Sequence, residues 1–303
     1  MTSDSKTTDT RVQHTGVVGA GVMGRGLAQD LAQTGHSVIL LDVSDVVLER
    51  ARDEIARNVR FHHLVADTGE PLDRAVVLDR IKFSTDYSSF AAVEFVIENA
   101  TEDWDVKASI YPELDKVCKS SAIFAANTSA IPISRIASAT ARPDRVVGMH
   151  FMNPVPLKPT VEVIRAPSTS DNTMSVVHRL LGQMNKRGIT VKDSPGFVSN
   201  RVLMLTVNEA IFLVEEQVAS PAQIDDIFKS CFGHTMGPLE TADLIGLDTI
   251  LQTVEVLHEE FGGSKFEPCP LLREMVAEGS LGRKSGHGFY NYSNSGLPGG
   301  DNR

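Results

Sequence analysis

The sequence predicts an α/β protein: an N-terminal Rossmann-type doubly wound sheet followed by a C-terminal all-helical domain. Three observations carry this expectation. Continuous apolar runs alternate with amphipathic stretches up to about residue 192, the pattern of parallel strands covered on both faces by helices. A glycine-rich turn, Gly19-Ala20-Gly21-Val22-Met23-Gly24, follows the first run directly and opens a helix. Past Asp193-Ser194-Pro195-Gly196 the short β-branched runs stop and the texture becomes helical.

His14–Val18 reads as the first strand and Gly21–Thr34 as the helix after it. Ser37–Asp42 is a second strand, followed by a long helix from about Asp45 to His63. Glu94–Glu98, Ala122–Ala126 and Arg145–Met149 read as buried strands with helices between them, and Thr160–Arg165 and Gly188–Lys192 add two more. Ser194 can cap and Pro195 suits a first turn, so a helix is expected to start there and continue over Phe197–Glu216. The remainder is expected to be helical, broken at Gly233, Gly237-Pro238, Gly262-Gly263 and Pro268–Pro270. The domain boundary is thus placed near residue 193, with domains over 1–192 and 193–303.

A chain of 303 residues fits two domains. Its formal net charge of -10 argues against a nucleic acid as the main partner. Cys118, Cys231 and Cys269 show neither metal-ligand nor redox spacing and suit a reduced, cytoplasmic setting. The first ten residues are polar and read as a tail rather than a secretory signal. No apolar run approaches the roughly 20 residues of a membrane helix.

The glycine turn has the context that a dinucleotide fingerprint requires. Gly19 allows the tight turn, Gly21 lets backbone approach a pyrophosphate, and Gly24 permits close helix–strand packing. Val22 and Met23 open the helix, whose N-terminal N–H groups favour phosphate. Asp42 ends the second strand, where a carboxylate grips ribose hydroxyls and would repel a 2′-phosphate; Val43 and Ser44 offer no arginine for one. NAD is therefore the expected cofactor.

His150 ends a buried run in Gly148-Met149-His150-Phe151-Met152-Asn153-Pro154-Val155-Pro156, and Glu162 lies in the next one. Ligands bind at the carboxyl ends of strands in open α/β sheets. Alcohol oxidation needs a proton acceptor, and an imidazole, with an ordinary pKa of about 6.5, is suited to the task. A carboxylate on its other nitrogen fixes the tautomer. Asn200 follows the break and can donate to an oxygen that gathers charge. Asn127-Thr128-Ser129 follows another strand. Each of these has a plain structural explanation when taken alone: a hydrogen-bonded strand-end histidine, a solvated asparagine, a helix cap.

Together the motifs resemble the 3-hydroxyacyl-CoA dehydrogenase family, of the 3-hydroxybutyryl-CoA dehydrogenase type, from about Gly16 to Tyr292. The markers are GAGVMG, Asp42, Glu98 through Glu102 with Lys107, and NTS at Asn127. HFMNPVP from His150, VEVI from Val161, DSPGFVSNR from Asp193, MGPLE from Met236 and GRKSGHGFY from Gly282 complete them. The resemblance implies reversible NAD-dependent oxidation of a short 3-hydroxyacyl thioester. His150 would be the acid/base and Glu162 its orienting partner, with Ser129 and Asn200 positioning the substrate. It places Glu102, Lys107 and Asn153 near the nicotinamide end of NAD, and Lys284 at the cofactor of its own or a neighbouring subunit. It also implies a homodimer formed through the helical domain.

The departures bear on the substrate. The family usually carries a second serine where Ala130 stands, and Met-Lys-Leu is more typical than Leu157-Lys158-Pro159. Relatives hold coenzyme A with a Ser and a Lys in the helical arm, near Asn58 and Val65 here. Leu64 to Pro71 contains Asp67 and Glu70 and no basic residue. An acyl carrier protein, acidic and able to meet Arg57 and Arg60, is therefore kept as an alternative carrier to coenzyme A. Ala130 and the altered rim also raise a polar acyl group of natural-product biosynthesis as a possibility. Two rivals are weaker. A β-hydroxyacid dehydrogenase needs a helical lysine, whereas Lys192 precedes the break. A non-enzymatic NAD-binding protein would leave the His/Glu/Asn set without a purpose.

Overall fold

The computed structural model describes residues 11–66, 73–129 and 131–293, without the side chains of 61–66. The N-terminal tail, Asp67, Glu70, Ala130 and the residues past Ser293 lie outside that description, as do the side chains of His62, His63 and Val65. The chain divides into two compact units, Met1–Ser194 and Pro195–Arg303.

The first unit is built on one eight-stranded sheet in the order β3-β2-β1-β4-β5-β6-β7-β8. Its strands are β1 (His14–Val18), β2 (Ser37–Leu41), β3 (Ile81–Ser84), β4 (Phe95–Glu98), β5 (Ile123–Ala126), β6 (Val146–His150), β7 (Thr160–Arg165) and β8 (Arg187–Lys192). The helices are α1 (Val22–Gln33), α2 (Asp45–Ala66), α3 (Arg74–Asp79), α4 (Trp104–Val117), α5 (Ile133–Ala137) and α6 (Asp171–Gln183). Apolar residues from β1, β2, β4, β5, β6 and β7 join Leu27 and Leu31 of α1 in a continuous core.

Two features of this unit differ from the sequence expectation. β3 was not expected; its IKFS segment is a short edge strand with a partly exposed face. The sheet is also parallel everywhere except between β6 and β7, which run antiparallel. Residues 151–159 carry a single 3-10 turn over Val155–Leu157. That connection is too short for the helical crossover that a parallel return requires.

The second unit is helical as expected: α7 (Ser199–Glu215), α8 (Pro221–Phe232), α9 (Pro238–Ile245), α10 (Leu247–Phe261) and α11 (Pro270–Ala277). α7 starts later than Ser194-Pro195 suggested, because Gly196 and Phe197 have φ of 68° and 49°. A left-handed pair cannot continue a right-handed helix. Two buried carboxylates lock the closing GRKSGHGFY segment in place. Asp225 accepts the Tyr290 hydroxyl, and Asp243 accepts the N–H groups of Phe289 and Tyr290. Among the described residues no helix is long and apolar enough to cross a membrane.

Candidate active site

The glycine turn has the geometry its spacing implies. Gly19 has φ of 89° and donates its N–H to Leu41 O at 2.7 Å. A Cβ on Gly24 would lie 1.7 Å from Gly19 O, so helix and turn meet at backbone contact. Around Gly21, in contrast, nothing lies within 4 Å of the Cβ position. This is the point where backbone is open to a pyrophosphate. α1 begins at Val22 with no side-chain cap and no acidic residue in its first turn, which leaves its first N–H groups for an anion. Val22 is exposed, and Met23 packs on the core.

Asp42 accepts Ala20 N–H at 2.8 Å and Ser44 N–H at 3.3 Å, so it braces the turn. It also lines a cleft of about 370 Å3 with Gly21, Val43, Asn99, Thr101 and Ser109. Neither lysine nor arginine appears among the described lining residues. A carboxylate without a facing cation fits the diol of NAD and not a 2′-phosphate.

Glu98 closes the otherwise apolar β4 and is fully buried. Lys107, on α4, is buried with it; its ammonium lies 2.8 and 3.0 Å from the two Glu98 oxygens and 3.2 Å from Ala100 O. The Tyr111 hydroxyl donates to the same carboxylate at 3.1 Å. Burial pushes the Glu98 pKa up, while Lys107, the Ala100 N–H and Tyr111 pull it down. This cluster fixes the loop over 99–102 that forms one wall of the cleft. At its end Glu102, 3.7 Å from Lys107, accepts the Thr128 hydroxyl and the Ser129 N–H, the latter at 2.9 Å.

That chain of contacts leads to His150. The residue ends β6 and is directly opposite Glu162 on β7 in the antiparallel register. Its Nδ1 lies 3.1 Å from Glu162 Oε2, and its Nε2 lies 3.3 Å from Ser129 Oγ. Both members of the pair are buried, with 6% and 8% exposure. With Nδ1–H donating to the carboxylate, Nε2 carries the lone pair and can accept a hydroxyl proton. The structure thus brings Ser129, His150, Glu162 and Glu102 together. Asn127 bridges the loops around them: its Nδ2 donates to Asn99 Oδ1 at 2.7 Å and its Oδ1 accepts Phe151 N–H at 3.1 Å.

Asn153, exposed, begins the proline-rich turn through a cis Asn153-Pro154 bond. The turn is held down by Lys186, whose ammonium donates to Val155 O at 2.8 Å and Lys158 O at 2.9 Å and pairs with Asp30 of α1 at 3.0 Å. A cavity of about 310 Å3 opens between this turn, α1 and α2, lined by Val22, Gly26, Asn58 and Pro154. In the second unit, half-buried Asn200 is the second residue of α7, and Lys284 pairs with Asp248 beside Gly246. Cys118 and Cys269 are buried, and burial pushes their thiols up to about 11 and about 12, so neither serves as a nucleophile.

Sequence reasoning gave no role to Asp30, Lys186, Asn99 or Asp193. Their partners lie on other strands and loops, so no local pattern marks them. For Glu98 a signal existed: a carboxylate at the end of an apolar run, with a lysine at 107.

A sheet of this order, an open glycine turn and a braced histidine define a nucleotide-dependent dehydrogenase that uses NAD. Family comparison agrees. Residues 14–194 match the 3-hydroxyacyl-CoA dehydrogenase NAD binding domain, and residues 196–292 match the C-terminal domain of the same enzymes. The chain belongs to the 3-hydroxyacyl-CoA dehydrogenase family. It is 46% identical over 268 residues to a probable 3-hydroxybutyryl-CoA dehydrogenase of Deinococcus radiodurans, covering 88% of this chain and 95% of that one. It is 38% identical to the mitochondrial hydroxyacyl-coenzyme A dehydrogenase of Sus scrofa, covering 88% and 87%. The crystal structure of (S)-3-hydroxybutyryl-CoA dehydrogenase from Ralstonia eutropha superposes with a TM-score of 0.89 at 44% identity, covering 94% of this chain and all of that one.

Proposed function

We propose that the protein interconverts a short 3-hydroxyacyl thioester of the 3-hydroxybutyryl-CoA kind and its 3-oxo form. The observation that carries this reading is the placement of His150 between Glu162 and Ser129. His150 Nε2 takes the proton of the substrate hydroxyl, and Glu162 holds the ring and stabilises the imidazolium that forms. Ser129 positions the substrate oxygen, and the family resemblance gives Asn200 the same task. Bound NAD supplies the hydride acceptor at the reacting carbon. Gly19, Gly21, Val22, Met23, Gly24 and Asp42 hold its adenosine diphosphate half. Glu102 and Asn153 serve its nicotinamide half, with Lys107 holding Glu102 and the loop before it, and Lys284 is assigned to the cofactor of its own or a neighbouring subunit.

The relatives' names, which speak of coenzyme A, support coenzyme A as the carrier. The acidic, lysine-free stretch over 64–71 favours a second reading, a carrier-protein thioester. The enzyme is read as a cytoplasmic homodimer formed through its second unit, where Val198, Val202, Ile227 and Phe232 are exposed. The test is NADH formation from 3-hydroxybutyryl groups presented on coenzyme A and on acyl carrier protein. Turnover on coenzyme A supports the proposal. Turnover on carrier protein alone replaces the carrier, and turnover on neither refutes the reading.

A further inference from the structure

α5 begins behind Pro132 with no cap from its own sequence. Thr128 does not cap it; its hydroxyl accepts Ile131 N–H at 3.0 Å, one turn earlier. The first amides of α5 are instead taken by Asp193. Ile133 N–H donates to Oδ1 at 3.0 Å and Ser134 N–H to Oδ2 at 2.7 Å. Asp193 follows β8, and its own N–H donates to Arg165 O, the last residue of β7. α5 in turn is seated on β6. A methyl on Gly148 would lie 2.7 Å from Ile133 Cγ1 and 2.8 Å from Ile164 Cβ, so helix and strands touch with no room to slide.

Asp193 therefore joins α5, the helix after the Ser129 segment, through its carboxylate to the strand that carries Glu162 through its backbone N–H, while α5 rests on the strand that ends in His150. Glu102 holds the near side of the Ser129 loop, and Asp193 holds its far side through α5. We propose that Asp193 is a positioning residue for the reaction, and that its grip on α5 keeps Ser129 Oγ against His150 Nε2. The inference rests on the dehydrogenase reading above. An ionised carboxylate accepting two helix-end amides is stronger and more directional than a neutral cap. Asp193→Asn would keep one acceptor and turn an amide NH2 toward the other N–H.

The test uses the full-length enzyme carrying Asp193→Asn, Ser129→Ala or both; Asp193→Ser replaces Asp193→Asn if the latter does not fold. kcat, KM and NAD affinity are measured, with hydrogen exchange over 127–137. Asp193→Asn is expected to lower kcat about tenfold while NAD affinity stays unchanged. In the Ser129→Ala background it should cost less than about twofold, because the group it positions is already gone. Exchange should quicken over 127–131 as well as in α5. Full multiplicative losses, an unchanged kcat, or quickened exchange confined to α5 would overturn the proposal. If the wild type oxidises no hydroxyacyl thioester, the functional reading has failed instead, and the exchange pattern still decides the role of Asp193.

Discussion

His150 and Glu162 are cross-strand partners across the seam where β6 and β7 run antiparallel, with Nδ1 and Oε2 3.1 Å apart. Opposed residues in an antiparallel pair project to the same face. The backbone register therefore sets the dyad before any side chain adjusts. The hairpin-like return after His150 has a functional consequence: a helical crossover would have carried Glu162 elsewhere in the sheet.

Asp42 is expected to decide cofactor choice. Asp42→Ala removes the carboxylate from the cleft beside the glycine turn and also frees Ala20 N–H. KM for NAD should rise about tenfold, and the preference over NADP should narrow. Steady-state kinetics with both cofactors check this. An unchanged NAD/NADP ratio would remove the ribose contact from the account.

Lys107→Met leaves Glu98 buried with no cation beside it. A loss of about 3–5 kcal/mol in unfolding free energy is expected. Adding Glu98→Gln should recover part of that loss. Denaturant titration of the three proteins is the measurement, and a loss below about 1 kcal/mol for the single variant would show that the pair is not structural.

Asp30 gives stability a pH dependence of known sign. Burial raises its pKa from 3.8 to about 6, with Lys186 opposing. The native state therefore holds this proton more tightly than the unfolded chain does. Its contribution is fully present below about pH 4 and is lost as pH rises through about 6. Asp30→Asn cannot titrate. The stability of wild type relative to Asp30→Asn should fall by about 1–3 kcal/mol between about pH 4 and 7. A difference that stays flat or grows over that range contradicts the assignment.

The legible parts of this protein are those with a local cause. The glycine turn is readable because the turn, the helix start and the approach to phosphate all fall within Gly19–Gly24. The helix ends at Gly233 and Gly262 and the start at Pro270 are readable from single residues with fixed backbone habits. Proximity of His150 and Glu162 was visible as two strand residues joined by a proline-rich turn, but not their antiparallel opposition, which depends on the sheet as a whole. β3 was hidden because a short edge strand buries only part of one face. Asp193 looked like a loop residue because the amides it accepts lie 59 and 60 positions away in the chain.

The most direct measurement is turnover of 3-hydroxybutyryl-CoA by His150→Gln and Glu162→Gln, with NAD affinity determined on the same proteins. The acid/base role of His150 predicts that His150→Gln loses about 10²–10⁴-fold in kcat and Glu162→Gln a smaller factor, with NAD binding unchanged in both. A His150→Gln enzyme turning over at the wild-type rate would contradict it.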